Sequence, residues 1–223
     1  MAGLRIAVVV GMTSEARVAA VGPDLTIVGG GSAARVEELL AAVGPLDAVL
    51  SFGLAGGLDS GLRPGDLVAA HEVVSAEGAF SCHPGWARHL ARSLAGARDG
   101  VLLGVDAPIL TPHDKARLLR ETGALAVDME SHGAARFAYA KGLPFAVLRA
   151  ISDPQQRAIP PAALAGFRPD GSADAGAVLA ALARSPGQLP ALIRTALDAR
   201  AAMAALFRGR RRLGALFGFD QVV

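Results

Sequence analysis

Short apolar runs alternate along most of the chain with longer segments whose apolar residues recur every three or four positions. The short runs are Ile6–Val10, Leu25–Val28, Ala48–Phe52, Leu67–Ala70, Val101–Val105, Ala124–Val127 and Phe145–Ile151. Runs of this kind read as strands buried on both faces. Helical spacing marks Ala33–Val43, Trp86–Leu94, His113–Glu121 and Met129–Lys141, each starting just after Gly, Ser, Pro or Asp. The alternation predicts a three-layer α/β/α fold around a central mixed, mostly parallel sheet. Pro154–Asp174 is rich in Pro, Ala and Gly and reads as an extended loop. Ala175–Ala183 and Leu189–Phe207 then read as helices, so that residues from about 187 to 223 form a helical tail. Neither an internal repeat nor a linker interrupts the pattern, which predicts one domain over residues 1–223.

Composition narrows the classes. A chain of 223 residues holds one well-cored α/β domain, and two would be cramped. Hydrophobic residues make up 52% and the formal net charge is +2, which argues against disorder and against a nucleic-acid partner. Nearly all the basic residues are Arg, and Arg208, Arg210, Arg211 and Arg212 are bunched near the C-terminus. The single cysteine, Cys82, forms no intramolecular disulfide and points to a reducing, cytoplasmic setting. Beside His83 it is a candidate nucleophile, with an ordinary loop thiol as the favoured reading. No run reaches the roughly 18–20 apolar residues of a membrane span. His71, His83, His89, His113 and His132 lack ligand spacing with Cys82 or one another, so no metal is expected.

Ligands of open α/β sheets lie beyond the carboxyl ends of the strands. Four segments stand there: Gly11-Met12-Thr13-Ser14-Glu15, Gly53-Leu54-Ala55-Gly56-Gly57, Asp128-Met129-Glu130 and Ser152-Asp153. Glu15, Glu130 and Asp153 each have a plain explanation as caps of helix N-termini. Together they repel and need a reason to stay. Cleavage of an N-glycosidic bond supplies one, because the leaving base takes a proton while the sugar gathers positive charge and an oxygen nucleophile approaches. Gly29-Gly30-Gly31-Ser32-Ala33-Ala34 fits a variant of the dinucleotide fingerprint. The acid expected after the next strand is absent, since Phe52-Gly53-Leu54 stands there, and this weakens a dinucleotide-dependent oxidoreductase. The turn suits a phosphate or other anion, with Ser32 or Arg35 assisting.

The first-loop segment through Glu15, the turn from Gly53 to Leu58, Asp106-Ala107, Val127-Asp128-Met129-Glu130 and Arg149-Ala150-Ile151-Ser152-Asp153 occur in this order. In that order they resemble the purine nucleoside phosphorylase and nucleosidase superfamily, which includes the methylthioadenosine/adenosylhomocysteine nucleosidases. Asp128-Met129-Glu130-Ser131-His132, Asp153-Pro154, Ile159-Pro160-Pro161-Ala162-Ala163-Leu164 and Pro186 to Ile193 look more narrowly like the hopanoid-associated phosphorylase subfamily. The resemblance implies removal of adenine from an adenosyl-linked lipid, adenosylhopane; a soluble nucleoside such as methylthioadenosine is the alternative. A non-catalytic purine sensor would be favoured by loss of Glu15, Glu130 or Asp153, and all three are present.

Roles follow from the resemblance. Asp153 would protonate the purine, steered by Ser152. Glu130 would grip the ribose hydroxyls, Met129 would pack beneath the sugar, and Glu15 would deprotonate a water. Gly56 and Gly57 would make room for the base, bordered by Pro108 and Ile109. Phosphorylases of the superfamily tend to carry Arg at the position of Glu15, so Glu15 favours hydrolysis, although Arg17, Arg35 and Ser32 could hold phosphate as a co-substrate. No cofactor is expected, and a homodimer or higher oligomer is implied. His132 stands where nucleosidases carry small residues, and reads equally as a ligand-facing or a structural side chain. Leu206, Phe207, Leu213, Leu216, Phe217 and Phe219, interleaved with the C-terminal arginines, compose either an interfacial helix at the inner face of a membrane or a packed helix with a basic face.

Overall fold

The computed structural model describes residues 4–20 and 25–222. Residues 1–3, 21–24 and 223 of the expected domain lie outside the described residues. The chain runs β1 (Ile6–Val10), α1 (Thr13–Ala19), β2 (Leu25–Val28), α2 (Ala33–Ala42), β3 (Ala48–Gly57), β4 (Leu67–Ser75), β5 (Gly78–Ser81), α3 (Pro84–Ser93) and β6 (Arg98–Gly104). It continues through α4 (Pro112–Thr122), β7 (Ala126–Asp128), α5 (Ser131–Lys141), β8 (Phe145–Asp153), the short α6 (Pro161–Leu164), α7 (Ala175–Arg184) and α8 (Leu189–Leu213). All seven expected strands are present. Strand β5, helix α1 and the short α6, which interrupts the expected loop Pro154–Asp174, are additions, and α8 extends six residues past Phe207 to Leu213.

The sheet is mixed, with parallel pairs β1–β2, β1–β3, β3–β8, β4–β6 and β6–β7 and antiparallel pairs β3–β7, β4–β5 and β4–β8. Its curvature comes from the two long central strands. Along one edge β3 pairs first with β1 and then, at Gly56 and Gly57, with β7. Likewise β4 leaves β8 after Ala70 and takes up β5 from Glu72. Register shifts fall at both changes, between Ala55 and Gly56 and between Ala70 and Glu72. A shift of this kind bends a strand and sharpens its twist. Thus β3, β8, β4, β6 and β7 close into a ring, whereas the sequence pattern suggests an open sheet.

Helices cover the sheet as the apolar patterns require. On one face α2 and α5 bury Val36, Leu40, Ala134, Ala135 and Ala138 against β1, β3 and β8 residues. On the other, α3 and α8 bury Trp86, Leu90, Ala202, Ala205, Leu206 and Leu213. A smaller cluster joins Leu58, Leu103 and Val127 to Leu118 and Leu119 of α4. The C-terminal residues read as a tail belong to the second face. Phe217 lies edge-on to Phe52 at 5.2 Å, and Phe219 packs on Trp86 at 4.8 Å. The Trp86 indole donates to the Phe217 carbonyl at 2.9 Å. Arg210 is buried, with its guanidinium 4.0 Å above the Phe217 ring and donating to Ala19 and Ala215 carbonyls. Leu206, Leu213, Phe217 and Phe219 are therefore core residues and cannot face a membrane. Apolar residues at the end of a chain look alike whether they pack inward or outward, and the aromatic partners decide.

Candidate active site

Glu15 enters the site from the first turn of α1. Its third helical position lets the carboxylate cap the helix, with Oε2 accepting from the Gly11 and Met12 N–H groups at 2.8 Å each. The other oxygen, Oε1, accepts from Leu54 N–H on β3 at 2.7 Å. This stitching of the first loop to β3 explains why Gly11–Glu15 begins a helix where a loop was expected. Burial pushes the Glu15 carboxyl up, opposed by the nearby Arg149 guanidinium and by the three N–H donors.

Glu130 follows β7 and occupies the position just before α5 without capping it by its side chain. That task falls to Asp128, whose carboxylate accepts from Ser131 N–H at 3.1 Å and from the Ser131 hydroxyl. Helix α5 consequently starts at Ser131, two residues later than its apolar pattern suggests. The capping explanation thus holds for Glu15 and fails for Glu130.

One cation serves these acids. Arg149, on β8 and fully buried, ion-pairs with Asp128 and stands 3.5 Å from Glu130. Its fork also donates to the Ser51 and Ser131 hydroxyls at 2.7 and 3.2 Å and to the Leu54 carbonyl at 3.3 Å. Three carboxylates around one guanidinium cannot all shed their protons without leaving excess negative charge in a dry interior. Burial pushes the Glu130 carboxyl up to about 8, with Arg149 opposing and Asp128 and Glu15 adding to the rise. Gly53 makes the arrangement possible. Its φ of +151° is a glycine conformation, and a Cβ there would lie 2.7 Å from Arg149 Nη1 and 2.8 Å from the Glu15 carboxyl.

The raised Glu130 value has a stability consequence. Below its ordinary value near 4.5 both folded and unfolded chains hold the proton. As pH rises toward about 8, the unfolded chain releases it while the folded chain keeps it, so stability falls across that window and levels off above. The Glu130→Gln variant is expected to show a flatter profile in urea denaturation between pH 5 and 9. Equal slopes in variant and parent would contradict the raised value.

Asp153 ends β8 in a second group. The β3–β8 ladder pairs Gly53 with Arg149 and Gly56 with Asp153. The two groups therefore lie three residues apart along β3, about 10 Å at strand rise. Asp153 Oδ1 accepts from the Ser152 hydroxyl at 2.7 Å, and Oδ2 accepts from the buried Lys115 ammonium at 2.6 Å. A Cβ at Gly56 would stand 3.0 Å from Oδ2, and one at Gly57 3.3 Å from the Pro154 backbone. Both glycines belong to the end of β3 rather than to a turn.

Among the other sequence-derived candidates, half-buried Met129 packs its methyl group against Gly31, beside Glu130. Ile109 packs on the cluster containing Leu58 and Val127, and Pro108 is exposed. The Ser32 hydroxyl caps α2 by accepting from Arg35 N–H at 3.3 Å, while the Arg17 and Arg35 side chains are exposed. Gly30 lies against the Pro169 carbonyl so closely that a Cβ would overlap it, and Gly171 O accepts from Thr13 N–H at 3.0 Å. The glycine turn is thus covered by the Arg168–Gly171 loop. His132 is buried and pairs through Nε2 with Asp106 at 3.1 Å. Cys82 is buried in the core, where desolvation pushes its thiol up and away from nucleophile chemistry. No group of three or more metal-ligating side chains occurs among the described residues.

Sequence reasoning left Lys115 unnoticed and gave Arg149 and Asp128 no task. Lys115 carries a readable signal: with Leu118, Leu119 and Thr122 it follows helical spacing on one face, and only Lys141 is another lysine. Two surface clefts, of about 460 and 300 Å³, are lined by residues of α3, α8 and neighbouring loops and include none of the carboxylates described above.

A mixed sheet under helical layers, with an acidic cluster and a separate acid along one strand, defines an α/β enzyme. The chain belongs to the phosphorylase superfamily, whose family model matches residues 3–184. Futalosine hydrolase of Streptomyces coelicolor is 32% identical over 171 residues, 68% of each chain. Among solved structures, a putative 5'-methylthioadenosine/S-adenosylhomocysteine nucleosidase of Francisella philomiragia superposes with a TM-score of 0.66 at 17% identity, covering 97% of this chain and 100% of its own. A futalosine hydrolase mutant of Helicobacter pylori gives 0.58 at 19% identity, with 67% and 89% covered. At such identities these structures establish the likeness of fold.

Proposed function

We propose that this protein hydrolyses the N-glycosidic bond of a purine nucleoside. The observation that carries this reading is the spacing of Asp153, opposite Gly56 of β3, from the Glu15–Arg149–Glu130 cluster, beside Gly53, a separation that suits an acid acting on the base and carboxylates acting on the sugar. The water oxygen bonds to the anomeric carbon as the carbon–nitrogen bond breaks, and the bond electrons pass to the purine. Glu15 takes the water proton through Oε1, which one N–H donor leaves with a free lone pair. Once ionised, as it is above about pH 8, Glu130 holds the ribose hydroxyls more tightly as positive charge develops on the sugar. Asp153 delivers the proton to the purine nitrogen. The acidic, desolvated surroundings of Glu15 and Glu130 disfavour a phosphate dianion, and Arg149 is already engaged by Asp128, Ser51, Ser131 and Leu54. Both points support water over phosphate.

The finer reading is an adenosyl-linked lipid, adenosylhopane, taken from a membrane surface. What supports it is the exposed face of α8. Leu189, Ile193 and Leu197 repeat at four-residue spacing beside exposed Arg194, Arg200, Arg208 and Arg211. The one acid of α8, Asp198, turns inward to pair with Arg157. An apolar stripe with an all-arginine charged flank suits an anionic lipid interface. No helix among the described residues is long and apolar enough to cross a membrane, so contact would be peripheral. The nucleosides named in the relatives, methylthioadenosine and futalosine, are the soluble alternatives.

Free base released from adenosylhopane, methylthioadenosine and futalosine, with and without phosphate, tests both levels. Phosphate-independent adenine release from the lipid substrate is expected. A phosphate requirement would overturn hydrolysis, and turnover of soluble nucleosides alone would remove the lipid reading.

A further inference from the structure

Lys115 is fully buried, and its ammonium is within reach of four oxygens. It donates to Asp153 Oδ2 at 2.6 Å, to the Asp153 carbonyl at 3.0 Å, to the Arg157 carbonyl at 3.2 Å and to the Pro154 carbonyl at 3.3 Å. An ammonium has three N–H bonds, so these acceptors saturate it. A buried charge persists only when paired, and a neutral hydrophobic side chain would pack on Leu118 and Leu119 without that penalty. The contact falls on the carboxyl oxygen that overlooks Gly56, where the base is placed under the proposed function.

The ion pair keeps its exchangeable proton on the Lys115 nitrogen, whereas the departing purine must take one from Asp153. We propose that Lys115 is a positioning residue that supplies, through Asp153, the proton taken by the leaving base. As the carbon–nitrogen bond breaks, its electrons move into the purine ring. Oδ2 of Asp153 takes a proton from Lys115, which becomes a neutral amine, and passes it to the ring nitrogen, so that Asp153 ends the step as the carboxylate it began. Solvent recharges the pair through Asp153, whose side chain is 17% exposed. Ser152 fixes the other carboxyl oxygen and so keeps Oδ2 turned toward both partners.

This role rests on the nucleoside-hydrolase reading and is tested by changing the leaving group. Wild type, Lys115→Met and Lys115→Arg are assayed on adenosine, methylthioadenosine, futalosine and adenosylhopane, and on 4-nitrophenyl riboside, whose phenolate departs without protonation. Lys115→Met is expected to lower kcat on the purine substrates by about 10²-fold or more. Its rate on the nitrophenyl riboside should stay within about threefold of wild type, because the general-acid contribution is absent there. Lys115→Arg, which keeps the charge, should recover part of the purine activity and serves as the test variant if Lys115→Met does not fold. Equal losses on both substrate types would show a structural residue and overturn the proposal. A wild type active on the nitrophenyl riboside alone, or on neither, would overturn the purine-hydrolase reading and the proton role with it.

Discussion

Replacing Asp153 by Asn is expected to cut purine release by about 10²–10⁴-fold, the usual contribution of a positioned general acid. The substitution keeps the shape of the side chain, and an amide oxygen can still accept from the Ser152 hydroxyl. It removes the carboxyl that the β3–β8 ladder sets beside Gly56. Lys115 would retain the Asp153, Pro154 and Arg157 carbonyls, so the chain should fold. Comparing kcat/KM with the melting temperature separates chemistry from stability. Activity within about threefold of wild type would remove Asp153 from the proton path.

Arg149→Met should be the most damaging single change to stability. The variant leaves Asp128, Glu15 and Glu130 buried without their shared cation, and breaking a buried ion pair from one side costs about 3–5 kcal/mol. For a chain of this size that loss corresponds to a fall in Tm of roughly 10 °C. The pH dependence carries the diagnosis. Acid supplies protons that neutralise the stranded carboxylates, so the deficit should shrink as pH falls from about 8 toward 5. A deficit constant over that range would mean that Arg149 acts by packing alone. Arg149→Lys keeps the charge and gives up the forked contacts to Ser51, Ser131 and Leu54, so an intermediate loss is expected.

The strands were legible because segments such as Ile6–Val10 and Phe145–Ile151 are buried on both sides of the sheet and leave unbroken apolar runs. Strand β5 has no such mark, since Gly78-Ala79-Phe80-Ser81 is mostly exposed and is held by antiparallel pairing with β4. Helix α1 also escaped notice, because the Glu15 carboxylate that starts it reads equally as a loop acid. The acids Glu15, Glu130 and Asp153 were singled out by their place after strands. Their partners were not, because Arg149 looks like an interruption of an apolar run and Lys115 like a surface lysine until the fold covers them.

The order of strands and helices, their burial on two faces of a sheet, and the delivery of Glu15, Glu130 and Asp153 to strand ends are properties of local pattern. Each depends on side chains a few positions apart, and the sequence by itself determines them. Closure of the sheet, the gathering of three acids around Arg149, the pairing of Lys115 with Asp153 and the inward packing of Phe217 and Phe219 were decided by the tertiary structure. These join residues distant in sequence, as Lys115 and Asp153 are by 38 positions. A charge or an aromatic ring acquires its partner only when the backbone ladder has set which strands are neighbours.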